Sequence, residues 1–321
     1  MKAGIANKSI GTALPGKLSW GQLQLKKLKD GKFLLLLVLP AVVYYILFKY
    51  VPMWGILIAF KRYSPFKGFW GSNWVGLQHF KMFFSGPFWW RCVRNTLLLS
   101  LYSTLWSFPA PIIFALILND VQNMKFKKLV QTVSYMPHFL STVVVIGLLY
   151  MFLSPNTGPV QKIMVALGYQ KMDIFAQAKY FRTLYIASGI WQSLGWSAII
   201  YLAALTNIDP ALYESATIDG ANKFQQLIYI TLPSIAPTII IMLLLRLSHI
   251  LGVGFEKAYL LQNDANHETS DVLETYVYRI GISGANYSYG TAVGLLTSVI
   301  NLFFLFIFNG ISRRVSETSL W

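Results

Sequence analysis

The amino-acid sequence predicts an all-α membrane protein with six transmembrane helices. Its 321 residues are 55% hydrophobic and only 12% charged, whereas soluble domains carry about 25% charged residues. Six apolar segments are each near or above the roughly 20 residues that cross about 30 Å of hydrocarbon. Such spans must be helical, because lipid cannot satisfy free backbone polar groups. The predicted spans are about 33–60, 94–118, 132–153, 181–204, 235–255 and 288–311.

The segments that flank these spans predict that both termini lie in the cytoplasm. Residues 1–32 hold seven lysines and one acidic residue, and no small-residue cleavage site follows, so we expect a retained cytoplasmic leader. Arg313 and Arg314 begin the predicted tail, residues 313–321. Basic residues near span ends favour the cytoplasmic side. The loop 205–233 between the fourth and fifth spans is then cytoplasmic too.

That loop contains a predicted helix–glycine–helix hairpin. Asp209 can cap a helix that begins at Pro210, where a missing N–H is harmless. Gly220 is the predicted end of this helix, since glycine readily adopts the left-handed conformation that terminates helices. A second short helix over 222–230 would lead into the next span at Pro233. A hairpin at a membrane surface is suited to binding a soluble partner.

Several functions are excluded by composition. The charge of +15 is scattered between apolar spans rather than gathered in one stripe, which argues against nucleic acid. The single cysteine allows no internal disulfide, and His79, His138, His249 and His267 lack the spacing of metal ligands. No phosphate-binding GxxxxGK[ST] loop is present, so we expect no ATP, metal or other cofactor on this chain.

Charged residues inside spans are costly and point to functional sites, and the fifth span holds Arg246 and His249. At 100° per residue they belong to one face of the predicted helix, which should line the bundle or a water-filled path. The face comprises Met242, Arg246, His249, Val253 and Glu256. A structural role, with Arg246 bonded to a neighbouring helix and His249 satisfied in a core, is equally open. Gly252 and Gly254 could bend the helix there.

Aromatic side chains offer candidate surfaces for stacking on sugar rings, although packing is the commoner role of each. The candidates are Trp191, Trp196, Tyr201, Tyr276, Tyr278, Tyr287 and Tyr289.

The hairpin resembles a known family motif. The matching residues are Glu214, Ser215, Ala216, Asp219, Gly220, Ala221, Ile230, Leu232 and Pro233. They resemble the EAA loop of ABC-importer permeases of the carbohydrate-uptake, binding-protein-dependent (MalF-like) family, with Ser215 in place of an alanine. The resemblance implies a type I ABC-importer permease in which this loop, a cytoplasmic coupling helix hairpin, docks into an ATP-binding subunit.

Two further stretches extend the resemblance over residues 33–312, the predicted permease domain. Residues 74–80 resemble a stretch of sugar-type permeases, with His79 where asparagine is usual. Residues 255–261, with Glu256 and Tyr259, and the later residues 268–279 resemble permeases of the LplB/YteP type. That subgroup serves oligosaccharides that often bear uronates. Glu256 and Tyr259 therefore join Arg246, His249, Trp191 and Trp196 as candidates for the solute path.

The resemblance implies a transmembrane subunit of an ATP-driven importer for acidic oligosaccharides, uronate-containing and of pectin or alginate type, in the bacterial plasma membrane. The external segments, with 12 basic and 6 acidic residues, would attract such solutes. Implied partners are a second homologous permease, a dimer of ATP-binding subunits that carries ATP and Mg, an extracytoplasmic solute-binding protein and the lipid bilayer. The alternatives are a permease for a neutral sugar or glycerol phosphate, or an ion-coupled secondary carrier.

Overall fold

The computed structural model describes residues 32–315, which form helices and one small β-hairpin. The predicted leader, apart from Lys32, and residues 316–321 of the predicted tail lie outside the described residues. The chain divides into two compact units between Ile56 and Leu57.

The first helical run covers the first predicted span. It begins as an α-helix, passes through a π turn and ends as a 3₁₀-helix: Lys32–Tyr45, Ile46–Tyr50 and Val51–Phe60. Pro52, which has no backbone N–H, lies where the helix tightens.

A segment rich in basic and aromatic residues follows before the second span. It contains strands Lys61–Arg62 and Asn73–Trp74 and helices Gly68–Gly71 and Gln78–Ser85. The two strands pair antiparallel, with Lys61 opposite Trp74. The Lys61 ammonium donates to the Phe69 carbonyl at 3.0 Å and lies 4.5 Å from the centre of that ring. Lys61 is therefore bonded within its own segment.

The second predicted span, 94–118, lies within a longer helical run. This run consists of helices Trp89–Ser107 and Pro109–Asn119, which together are long and apolar enough to cross a membrane. The second helix restarts at Pro109, because proline is tolerated in a first helical turn.

The third predicted span, 132–153, is wrong as a continuous helix. The chain forms helix Met124–Tyr135, a 3₁₀ turn Met136–Phe139 and helix Thr142–Leu153, with a bend of 100° between the two sides of the break. Pro137 lies in the 3₁₀ turn, and the extended Ser141 caps the new helix by accepting from the Val144 N–H. Such a cap starts a helix in a new direction.

The fourth predicted span, 181–204, lies within a helix of 29 residues, Ala178–Thr206, which we call the central helix. Helix Pro159–Ala166 precedes it, and helices Pro210–Ile218 and Lys223–Gln226 follow it.

The fifth predicted span, 235–255, is wrong at its C-terminal end. Helix Lys223–Gln226, a π turn Leu227–Thr231 and helix Leu232–Leu247 form one run, Lys223–Leu247, which we call the long helix. It ends eight residues before the predicted boundary. Gly254 then adopts a φ of +87°, which side chains other than glycine rarely tolerate.

The rest of the chain is a group of short helices and a last long helix. These elements are Phe255–Leu261, a 3₁₀ turn Asp264–Asn266, His267–Ser270, Leu273–Val277, a π turn Tyr278–Ser283 and Tyr287–Val315. The last helix contains the sixth predicted span, 288–311.

By length and composition, four helices of the described residues can cross a membrane, or five if the bent pair forms one span. They are Leu36–Phe60, Trp89–Asn119, Lys223–Leu247 and Tyr287–Ile311. The central helix has the length of a span but is interrupted by polar residues, among them Gln192 and Ser193. The count of six stays a prediction.

The central helix is the packing axis of the second unit. One core cluster forms around its N-terminal half, with Phe181 and Tyr185, and a second around its C-terminal half, with Tyr201 and Leu205. Between them, Gly195 lies against the Ser134 backbone, so closely that a Cβ at residue 195 would overlap the Ser134 carbonyl group. Helix Met124–Tyr135 therefore packs on the central helix without an intervening side chain.

We expect Gly195→Ala to lower the free energy of unfolding by about 1–3 kcal/mol, because the added methyl group must push the two helices apart. The matched control is Gly147→Ala, since a Cβ there meets nothing within 4 Å. Thermal unfolding of the purified protein in detergent measures both. Equal melting temperatures for the two variants would contradict the close packing.

Candidate functional site

The hairpin 209–233 has the predicted caps at both ends of its first helix. The Asp209 carboxylate accepts a backbone N–H of the first turn at 2.9 Å. At the other end, Gly220 has a φ of +79°. The N–H groups of Ala221 and Gly220 donate to the carbonyls of Ala216 and Thr217 at 2.8 and 3.1 Å. This is the Schellman pattern of helix termination.

Side-chain hydrogen bonds join the two helices of the hairpin. Asn222 caps the second helix. The Gln226 amide donates to the Thr217 hydroxyl at 3.0 Å, and the Tyr213 and Thr231 hydroxyls are 2.8 Å apart. The hairpin is therefore attached to the start of the long helix as a braced unit.

Most residues of the EAA-like motif are exposed. Glu214, Ser215, Asp219 and Gly220 are exposed, whereas Ala216 and Ala221 are half-buried. Large apolar side chains lie beside them in the open: Ile218 is 86%, Phe224 68% and Tyr229 76% exposed. Apolar side chains exposed together commonly mark a surface that binds another protein.

A second candidate site is a partly open cavity of about 570 Å³ between helix Trp89–Ser107, the central helix and the end of the long helix. Its volume falls in the range of small-molecule sites, about 300–1,000 Å³. Hydroxyl groups line much of the wall: Ser100, Ser103, Thr104, Ser107 and Ser193. Arg246, His249 and Lys257 also line it, and no Asp or Glu among residues 32–315 does. We call it the cationic cavity.

Arg246 is bonded to the neighbouring helix and also lines the cavity. Its Nε donates to the Thr104 hydroxyl at 3.2 Å and an Nη atom donates to the Ser103 hydroxyl at 2.7 Å. His249 is exposed on the cavity wall. Both roles that the sequence left open for Arg246 are thus compatible with its position.

The predicted polar face is only partly assembled. Met242, Arg246, His249 and Val253 line the cavity, but Glu256 does not. The reason is that the helix ends at Leu247, so the 100° periodicity no longer applies beyond it. Glu256 lies exposed in the separate helix Phe255–Leu261.

The aromatic candidates lie apart from one another. Trp191 is half exposed and lies outside the lining of the cavity. Trp196 stacks on His138 with ring centres 4.6 Å apart, and it lines a smaller cavity of about 320 Å³ that also reaches Arg246. Tyr259 packs against Phe255. Tyr201, Tyr276 and Tyr289 are buried in cores.

Sequence reasoning missed Lys257. Its ammonium lies 4.8 Å from the centre of the Tyr185 ring, whose hydroxyl donates to the Val253 carbonyl. Burial lowers the pKa of Lys257 to about 8. Nothing in the periodicity identifies this lysine, because the chain leaves the long helix at Leu247 and brings residue 257 back to the cavity.

Asp271 explains part of the basic surplus in the segments that the sequence predicts to be external. Its carboxylate is fully buried and accepts hydrogen bonds from Arg91 at 2.6 Å and Arg279 at 3.1 Å. Asn95 donates to the Asp271 backbone carbonyl at 3.2 Å. Breaking a buried pair is strongly destabilising, so Arg91 and Arg279 have a structural role.

The fold and the braced, exposed hairpin define a class of transport protein. The chain belongs to the family of binding-protein-dependent transport system inner membrane components, whose model matches residues 107–317. It is a multi-pass membrane permease of an ABC importer with the type I fold, a transport subunit whose ATPase is a separate chain. Family membership removes the ion-coupled carrier as an alternative.

The similarity extends over nearly the whole chain. It is 42% identical over 304 residues to protein LplB of Bacillus subtilis (strain 168), covering 95% of this chain and 94% of LplB. It is 43% identical to the polygalacturonan/rhamnogalacturonan transport system permease protein YteP of the same organism, covering 92% of each.

A solved structure matches equally well. A chain in the crystal structure of a bacterial alginate ABC transporter, in complex with an alginate pentasaccharide-bound periplasmic protein, is 42% identical with a TM-score of 0.85. The match covers 92% of this chain and 99% of that chain.

The structural role of Arg246 can be measured by a double-mutant cycle between Arg246→Gln and Ser103→Ala. We expect a coupling energy of about 1–3 kcal/mol, since both variants remove the same charge-assisted hydrogen bond. Ser100 also lines the cavity, and Ser100→Ala is the matched control, with coupling near zero. Thermal stability of the four proteins in each cycle is the measurement, and equal coupling at residues 100 and 103 would refute the bond.

Proposed function

We propose that this chain is the permease subunit of an ATP-driven importer for acidic, uronate-containing oligosaccharides. The observation that carries the proposal is the cationic cavity, where Arg246 and His249 face a hydroxyl-lined wall without an acidic residue among the described ones. A positive site attracts carboxylates, and hydroxyl side chains can replace the water around sugar hydroxyls. Two of the similar proteins are named for acidic polysaccharides, alginate and polygalacturonan.

The proposed assembly has four kinds of component besides the lipid bilayer. This chain would pair with a second homologous permease, and a dimer of ATP-binding subunits, which carries ATP and Mg, would dock on the hairpin. An extracytoplasmic binding protein would deliver the oligosaccharide. The proposed location of the protein is the bacterial plasma membrane, with both termini on the cytoplasmic side. Support comes from the basic ends of the sequence and from the exposed apolar residues of the hairpin, such as Ile218 and Phe224.

The long helix offers a direct mechanical route from the hairpin to the cavity. It runs over 25 residues from Lys223 to Leu247, about 37 Å at 1.5 Å per residue. Its first turn belongs to the hairpin, and Arg246 lies in its last turn. Movement of an ATPase against the hairpin would therefore displace Arg246, and with it the cavity wall.

A phosphate-bearing solute such as glycerol phosphate is the second candidate. The same positive charge that favours a carboxylate would favour a phosphate, so Arg246 and His249 do not by themselves distinguish them. Similarity to permeases for acidic polysaccharides favours the first candidate.

Changes in the hairpin should uncouple transport from ATP hydrolysis. Glu214→Lys inverts an exposed charge of the docking surface, and Gly220→Val places a β-branched residue at a φ of +79°, which costs about 1–3 kcal/mol. We expect oligosaccharide uptake to fall about ten-fold or more while the permease still inserts into the membrane.

Gly220→Asn is the matched control, because asparagine tolerates positive φ and should retain most uptake. Uptake and ATPase activity are measured together in proteoliposomes that hold the full complex. Unchanged uptake in Glu214→Lys and Gly220→Val would contradict the proposal that the hairpin couples ATP hydrolysis to transport.

Arg246→Ala should reduce transport of uronate oligosaccharides more than transport of neutral ones of equal length. The physical reason is the loss of a positive charge from the cavity, which weakens attraction for carboxylates and leaves neutral sugars largely unaffected. Uptake of both solutes by the same preparation is compared. An equal loss of uptake for both solutes would contradict a role of Arg246 in binding carboxylates. Its role would then be structural, through its hydrogen bonds to Ser103 and Thr104.

A further inference from the structure

Two cations of the cationic cavity differ in how they are held. Arg246 already donates to Ser103 and Thr104, so its position is set by the protein. Lys257 projects from the next helix, Phe255–Leu261, into the same cavity. Among the described residues, no carboxylate lies within ion-pair distance of its ammonium. The cavity thus contains one anchored positive charge and one without an anionic partner.

The surroundings keep the Lys257 ammonium at the cavity wall. It lies over the ring of Tyr185, and a Cβ on Gly189 would stand 3.0 Å from its Nζ, so glycine leaves the space that the ammonium occupies. The side chain is half-buried, and burial lowers the pKa of Lys257 to about 8. A partly dehydrated ammonium is stabilised by an anion that comes next to it.

Glu274 is the nearby acidic residue that could have neutralised this lysine, but it is held elsewhere. Its carboxylate lies beside Gly252 and Gly254, in the turn after the long helix, and forms no ion pair with Lys257. Burial raises the pKa of Glu274. The charge of Lys257 therefore remains available to a solute.

We propose that Lys257 binds the carboxylate of one sugar unit and, together with Arg246, lets this cavity distinguish acidic from neutral oligosaccharides. The ammonium would donate to a carboxylate oxygen, while Arg246 supplies a second, fixed positive charge on the cavity wall. Charge-assisted bonds of this kind are short and strong. The hydroxyl side chains that line the same cavity suit the hydroxyls of the sugar. This inference rests on the proposed function, because it assumes that an acidic oligosaccharide enters the cavity.

The test uses the full transport complex in proteoliposomes, with its binding protein, its partner permease and its ATPase. The probes are trigalacturonate, an alginate trisaccharide and the carboxyl-reduced, neutral form of each. Lys257→Met keeps the length of the side chain and removes the charge. We expect uptake of the acidic probes to fall about ten-fold or more and uptake of the neutral probes to change less than about two-fold.

Two further variants serve as controls. Lys257→Arg retains the charge and should keep most of the uptake of acidic probes. Lys171 is exposed and lies outside the cavity. Lys171→Met removes the same charge at that position, and we expect the ratio of acidic to neutral uptake to equal that of the wild type.

A chemical rescue covers the case in which Lys257→Met does not assemble. Lys257→Cys is made, and the intact complex is treated with an aminoethyl thiosulfonate, which forms a disulfide with the new thiol, releases sulfinate and restores a positive charge. Cys92, the other cysteine of this chain, is buried. We expect treatment to restore uptake of the acidic probes.

The inference and the proposed function fail in different ways. If the wild type imports the acidic probes but Lys257→Met reduces acidic and neutral uptake equally, Lys257 does not bind the carboxylate of the solute. Equal uptake by Lys257→Cys before and after treatment has the same meaning. If the wild type imports the neutral probes and neither acidic probe, the proposed solute class itself is wrong.

Discussion

The packing of neighbouring helices on the central helix, Ala178–Thr206, is the constraint on which the rest of the second unit depends. Its two ends belong to separate core clusters, and Gly195 between them allows the Ser134 backbone to approach without a side chain in between. The same helix presents Gly189 and Ser193 to the cationic cavity. The polar residues of this helix can be accommodated because they face the cavity and neighbouring helices. In contact with lipid, each unsatisfied polar group would be costly.

The basic residues of the chain divide into groups with different physical roles. Arg91 and Arg279 share the buried carboxylate of Asp271, which cancels one of their two positive charges and joins distant segments of the chain. Arg246 is held by two hydroxyls, which stabilise its guanidinium without cancelling its charge. Lys257 has no ion pair among the described residues. A count of charges in the sequence cannot separate these roles, since it depends on which partners the fold supplies.

The hairpin and the cavity are connected by one uninterrupted helical run, and this connection depends on how the chain passes Pro233. Proline lacks the N–H that an α-helix would donate to the Tyr229 carbonyl. The π turn Leu227–Thr231 lies just before it, and the helix continues to Leu247 without a break. The Tyr213–Thr231 hydrogen bond also joins the first helix of the hairpin to the long helix. We propose that a displacement at either end is transmitted along the helix axis.

The sequence by itself determined the class of protein, the hairpin and the polar end of the long helix. The Asp209 cap and the Gly220 termination were predictable because capping depends on the residues within one turn. The tertiary structure decided the 100° bend after Met124–Phe139, the end of the long helix at Leu247 and the place of Lys257 in the cavity. These features rest on contacts between residues far apart in the chain, such as Tyr185 with Val253 and Arg246 with Ser103. Local periodicity contains no information about such contacts.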